Sequence, residues 1–144
     1  MIARVLLMSL WCFRLVSAAD LDAIKQEPDL IKRYEKALEL AMTESKTARK
    51  LIQEGGSRSE LFVSLNTISE ATELSLQSLR DTGKKPSKLT KQYKRGELNT
   101  RELIRELNDV VVALSMEDRP KAETARDRVT LTHEEYLLGV MTGK

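Results

Sequence analysis

Between Lys84 and Arg95 the chain carries six positive charges in twelve residues, Lys84, Lys85, Lys88, Lys91, Lys94 and Arg95, with no acid among them. Ammonium and guanidinium groups at this density create a field that attracts phosphate groups, anionic lipid heads or an acidic protein. Lys84, Lys88, Lys91 and Arg95 are spaced four, three and four, so a helix through them would set all four on one face. Tyr93 is the single aromatic residue of the segment, too little stacking surface for sequence-reading nucleic-acid binding. Cations at the start of a helix oppose its dipole at a cost of a few tenths to about 1 kcal/mol each. Asp20, Asp22, Glu27 and Asp29, at the start of the first helix, are available to neutralise them from within. An anionic partner is the alternative.

His133 is the only histidine. Metal sites draw on several converging His, Cys or carboxylate ligands, and di-metal helical bundles use Glu-x-x-His repeats. The residue three before His133 is Thr130, so that repeat is absent. A nucleophile–histidine pair would have to use the same residue, and no Gly-x-Ser-x-Gly turn accompanies it. The plain expectation is a half-exposed histidine at the edge of a helix. The sharper alternative pairs His133 with Met42 as axial ligands of a haem. In residue types and compartment that pairing is similar to soluble b-type cytochromes, whose haem lies inside a secreted four-helix bundle. It would make the chain an electron carrier, although Met42 lies in mid-helix and beside the apolar stripe.

The first nineteen residues differ from the rest. Arg4 is followed by a mostly apolar run from Val5 to Val16 and then by Ser17-Ala18-Ala19. A positive start, a short apolar stretch and small residues are the marks of a secretory signal peptide, cleaved after Ala18 or Ala19. The run is shorter than the roughly 20 apolar residues a membrane span needs. The sole Cys and the sole Trp, Cys12 and Trp11, lie within it. Its loss also removes Arg4 and Arg14, leaving 22 basic against 22 acidic residues and no net charge. A mature chain without cysteine has no disulfide and depends on core packing.

The elements that must position these residues are helices, since apolar residues recur at spacings of three and four. A first stripe opens at Pro28 and runs Ile31, Tyr34, Leu38, Ala41, Ser45, Ala48, Ile52, stopping at Gly55-Gly56. Ser57 and Glu60 form a capping box before a second stripe, Leu61, Leu65, Ile68, Thr72, Ser75, Leu79. Asp81-Thr82-Gly83 and Pro86 end it. The third stripe, Leu89 to Leu114, is either one helix over 87–115 or is interrupted near Gly96 and Asn99. The fourth starts at Asp118-Arg119-Pro120 and is either continuous or broken near Thr130. Comparable lengths and short links predict an antiparallel up-down-up-down four-helix bundle in a single domain, 20–144. Small stripe residues imply close helix approach or a thin core, which a second copy in a homodimer would complete.

These readings predict a secreted protein, periplasmic or extracellular, without an enzymatic site, a cofactor or a membrane span in its mature form. Its role would be binding or structural support in the cell envelope, with an anionic envelope component or another protein as partner.

Overall fold

The structure is a computed structural model, and residues 20–143 are described here. The proposed signal segment lies outside them. Four long helices, α1 (Leu30–Gln53), α2 (Arg58–Asp81), α3 (Thr90–Ala113) and α4 (Arg119–Thr142), have 24 residues each, or about 36 Å at the standard rise. A helical stretch at 20–25 precedes α1, and a 3₁₀ turn, Pro86–Lys88, precedes α3. No strand occurs among the described residues.

Most of the helix boundaries follow from local chemistry. Asp29, not the first-turn proline expected, starts α1: its carboxylate accepts from the backbone N–H groups of Ile31 and Lys32, both at 3.1 Å. Pro28 therefore lies before the cap, because the carboxylate satisfies two N–H groups that nothing else reaches. The other end of α1 is a Schellman turn. Gly55 takes φ +64° and the Gly56 N–H reaches the Leu51 carbonyl at 2.7 Å, a conformation that side chains disfavour. Ser57 caps α2 as its spacing predicts, its hydroxyl accepting from the Glu60 N–H.

Of the alternatives open for the third and fourth stripes, the continuous helix forms in both. α3 passes through Gly96 and Asn99, and α4 runs unbroken through Val129–Thr132. In α4 the Thr130 hydroxyl donates to the Arg126 carbonyl at 2.8 Å and Thr132 to the Arg128 carbonyl, so both polar groups are satisfied inside the helix. Val129 is fully buried. Burying a valine contributes about 1.5 kcal/mol or more, which exceeds the few tenths lost to β-branched helix propensity.

Side-chain contacts show which helices meet and in which direction. Arg33 near the start of α1 bonds Ser78 and Asp81 near the end of α2, so those two run antiparallel. α3 and α4 do likewise: Tyr93 lies against Gly139, Gly96 against Tyr136, and Thr100 bonds His133. α1 meets α3 through Tyr34 and Gln92 at one end and Ser45 and Glu106 further along. α2 meets α4 through Glu73 and Arg128, then Ser75 and Tyr136. No Cα atoms of α1 and α4 come within 8 Å of each other.

The core divides into two clusters. The larger is built on Ala37, Ala41, Ala48, Leu65, Ile68, Leu103, Leu107 and Val129, and the stretch at 20–25 adds Leu21 and Ile24. Small stripe residues such as Ala41, Ser45, Thr72 and Ser75 are buried against the chain's own helices. On α2, Thr67, Ser69, Thr72 and Ser78 each donate to the carbonyl four residues earlier. Hydroxyls satisfied in this way can be buried without an orphaned donor, leaving room for a close neighbour.

The second cluster holds all three tyrosines, Tyr34, Tyr93 and Tyr136, with Leu38, Leu76, Leu79 and Leu89. Tyr93 and Tyr136 meet edge to face, 5.8 Å between ring centres. Each ring also lies over a glycine of the opposite helix. The Tyr34 hydroxyl donates to the Gln92 carbonyl at 2.7 Å. The Ser75 hydroxyl donates to the Thr72 carbonyl at 2.6 Å, so the Tyr136 hydroxyl, 2.6 Å away, donates to Ser75.

A Cβ at Gly96 would penetrate the Tyr136 ring, which is fully buried and tied to Ser75. Gly96→Ala is expected to destabilise by about 1–3 kcal/mol through overpacking, although helix propensity alone favours Ala by about 1 kcal/mol. Thermal unfolding followed by circular dichroism checks the sign; a higher midpoint would contradict the packing.

Burial pushes the phenol groups of Tyr34, Tyr93 and Tyr136 above their ordinary range, because phenolate is poorly solvated there. Folded pKa values above the unfolded value of about 10 contribute stability that is present below pH ~10 and lost as pH rises beyond it. Phenolate absorbance and helicity should therefore change together in alkaline titration. Ionisation of all three tyrosines near pH 10 with the helices intact would contradict this burial.

Candidate functional site

The connector between α2 and α3 gathers the cations that the sequence singles out. Gly83 takes φ +70° and turns the chain out of α2. Pro86 opens the 3₁₀ turn, and Lys85 before it is extended, φ −66° and ψ 150°, as a residue preceding proline prefers. The expected single helical face through Lys84, Lys88, Lys91 and Arg95 is therefore not formed. Lys84, Lys85 and Lys88 lie in the connector, and Lys91, Lys94 and Arg95 lie on the first turns of α3. Proline, which lacks the N–H a continuous helix would need, divides the cluster between two elements.

All six side chains are exposed. None makes an ion pair within 4 Å among the described residues. The internal neutralisation available in the sequence does not occur as ion pairing. Glu27 pairs instead with Lys36 at 2.6 Å. That bond, with the Asp29 N–H, holds its carboxyl below the usual carboxylate range. Asp29 is occupied as the cap of α1. Leu89 occupies the cap position of α3 and offers no side-chain acceptor, and no acid stands in the first turn. The positive end of that helix dipole thus adds to the field of the cations. Tyr93 is buried and turned toward Gly139, so it presents no stacking surface.

His133 is half-buried at the edge of α4, as expected. Its Nδ1 lies 2.9 Å from the Thr100 hydroxyl, and that hydroxyl lies 2.7 Å from the Gly96 carbonyl. The single hydroxyl hydrogen goes to the carbonyl, so Nδ1–H is the donor and Nε2 carries the free lone pair. Met42 is partly buried against the larger core cluster. It stands on α1, and His133 stands on α4, two long helices whose Cα atoms stay more than 8 Å apart. Among the described residues no three His, Cys, Asp or Glu side chains are grouped as metal ligands.

Three carboxylates that the sequence does not single out are buried, Glu44, Glu97 and Glu106. Glu106 bonds Ser45 across the α1–α3 contact, with Arg49 3.8 Å away. Glu97 pairs with Arg101 one turn along α3. Nothing in their spacing distinguishes them from the exposed glutamates beside them. Glu97 and Glu106 face different neighbours, so these two form no paired acid and base.

An open cleft of about 340 Å³ lies beside α1, lined by Asp20, Ala23, Ile24, Lys36, Glu39, Leu40 and Thr43. Its lysine is already held by Glu27, and no nucleophile with an adjacent base lines it. Among the described residues no helix is long and apolar enough to cross a membrane. At the cationic end six charges of one sign stand together without an ion-pair partner among the described residues. No family model, no curated protein and no solved structure matches the chain.

Proposed function

We propose that this chain is a secreted, non-enzymatic binding protein of the cell envelope, an up-down-up-down four-helix bundle that holds an anionic component at its cationic end. The observation that carries the reading is the set Lys84, Lys85, Lys88, Lys91, Lys94 and Arg95, exposed together and free of ion pairs among the described residues. Concentrated charge without an internal partner is weakly stabilising at best and attracts counter-charge from solution. Phosphate-rich polymers and lipid heads supply such charge in an envelope. The antiparallel contacts within α1–α2 and within α3–α4 support the alternating direction of the helices.

Secretion rests on the order Arg4, Val5 to Val16, Ser17-Ala18-Ala19. Leu21 and Ile24, just past the proposed cleavage point, are buried in the core, and cleavage after Ala18 or Ala19 retains both. Expression of the full chain in a secreting host should yield a product beginning at Ala19 or Asp20. Intact-mass measurement checks this, and a product retaining Met1 to Ala18 would overturn it.

Replacing Lys88, Lys91 and Arg95 by Ala should weaken binding to poly(glycerol phosphate) by on the order of 100-fold at low salt, leaving the thermal midpoint unchanged. Wild-type binding should itself fall as salt rises. Fluorescence anisotropy with labelled polymer measures both, and equal affinity of variant and wild type would overturn the proposal.

A further inference from the structure

The cationic field does not stop at the first turns of α3. Beyond Lys91, Lys94 and Arg95 the next exposed charges of that helix are Arg101 and Arg105, so every exposed charge from Lys84 to Arg105 is positive. The chain also places acids here, and the fold withdraws them from the surface. Glu97 and Glu106 are buried, and Glu102 is half-buried. Glu106 faces Ser45 of α1. Glu97 pairs with Arg101, whose side chain is 65% exposed against 7% for the glutamate. At about 100° per residue the five cations of α3 fall within about 120° of its circumference. They lie opposite the buried Tyr93, Gly96, Thr100, Leu103 and Leu107. Lys91 to Arg105 is therefore a ridge about 21 Å long on a single helix, with Leu98, 52% exposed, in its middle. The neighbouring helices do not widen it: α4 exposes Asp127, Glu134 and Glu135 against Lys121, and α1 exposes charges of both signs.

We infer that the anionic component is a linear phosphate polymer without bases, laid lengthwise along α3 from the connector past Leu98 to Arg105. This rests on the anion-binding reading above and narrows its ligand. The cations form a line one helix wide, which a single extended chain of phosphates matches charge for charge. A flat bilayer broad enough to cover α3 would also bring headgroups toward the acids of α4. A compact anion would engage the connector and leave Arg101 and Arg105 unused. Nucleic acid finds no stacking surface, since no exposed residue of the ridge is aromatic. A second copy set on the ridge by two-fold symmetry would oppose cations with cations.

The test uses the secreted chain with poly(glycerol phosphate), tripolyphosphate, single-stranded DNA and phosphatidylglycerol vesicles. Leu98→Glu places a negative charge in the middle of the ridge at an exposed site and should weaken polymer binding about tenfold at low salt, while Leu98→Gln leaves it unchanged. Arg105→Ala strands no buried acid, since the side chain of Glu102 is 44% exposed. It should lower the slope of log affinity against log salt by about 1. Tripolyphosphate is too short to follow the ridge, so its binding should be the same in wild type, Leu98→Glu and Arg105→Ala. Unaltered thermal midpoints would show that both variants fold. Equal polymer affinity of Leu98→Glu and wild type, with an unchanged salt slope for Arg105→Ala, would confine binding to the connector; the linear assignment would fall and the anion-binding reading would stand. Tighter binding of single-stranded DNA than of polymer with the same number of phosphates would overturn it in favour of nucleic acid. Vesicle binding that the polymer fails to compete away would overturn it in favour of a bilayer. Unchanged polymer binding by the Lys88, Lys91 and Arg95 variant would remove both readings.

Discussion

Each tyrosine of the α3–α4 pair lies over a glycine of the opposite helix, Tyr136 over Gly96 and Tyr93 over Gly139. The missing Cβ atoms let the two backbones approach closely enough for the rings to fill the space between them, a fit with little tolerance in a close-packed interior. The exchange is reciprocal, so it sets both the separation of the helices and their register. From that register follow the bond between Thr100 and His133 and the meeting of α4's last turn with the connector.

The first half of the chain meets its neighbours by other means. α2 lines its inner face with serine and threonine, which turn their hydroxyls onto their own helix and present small surfaces to the helices beside it. α1 contributes alanines at corresponding places. Such positions bury less apolar area than leucine would, and tyrosines compensate at one end. The cost of enclosing polar atoms there is low because nearly every one has a carbonyl within its own helix.

Charge is distributed unevenly over this frame. Arg128 with Glu73, Arg80 with Glu135 and Arg33 with Asp81 join neighbouring helices at the surface. Where Arg58 approaches Asp118, the cation also lies over Phe62, 5.3 Å from the ring centre. The connector before α3 has cations but no comparable partners. A surface elsewhere supplied with counter-charges and lacking them at one end invites a counter-charge from outside, which is the physical content of the proposed role.

Local chemistry was legible in the sequence, and what depends on distant residues was not. Helical periodicity, the Ser57 cap, the Gly55-Gly56 stop and the concentration of cations all arise from residues within a few positions of each other. Proline at 28 misled because its local meaning was overruled, and glycine at 96 left a break open that the fold does not use. Asp29 offered a better cap than Pro28 could accompany, and Gly96 was needed as space for Tyr136 rather than as a break. Thr130 and Thr132 looked like a weak point until burial of Val129 outweighed propensity. Glu106 gave no sign of being buried, since its neighbours Ser45 and Arg49 stand some sixty residues away. The sequence by itself determined the helices, their caps and the charge of the connector, because those rest on near-neighbour hydrogen bonds and composition. Tertiary structure alone decided that the cations stay unpaired among the described residues and that Gly96 and Gly139 receive the rings of Tyr136 and Tyr93. That fit depends on how α3 and α4 interlock, and interlocking is a property of surfaces that meet only after the chain has folded.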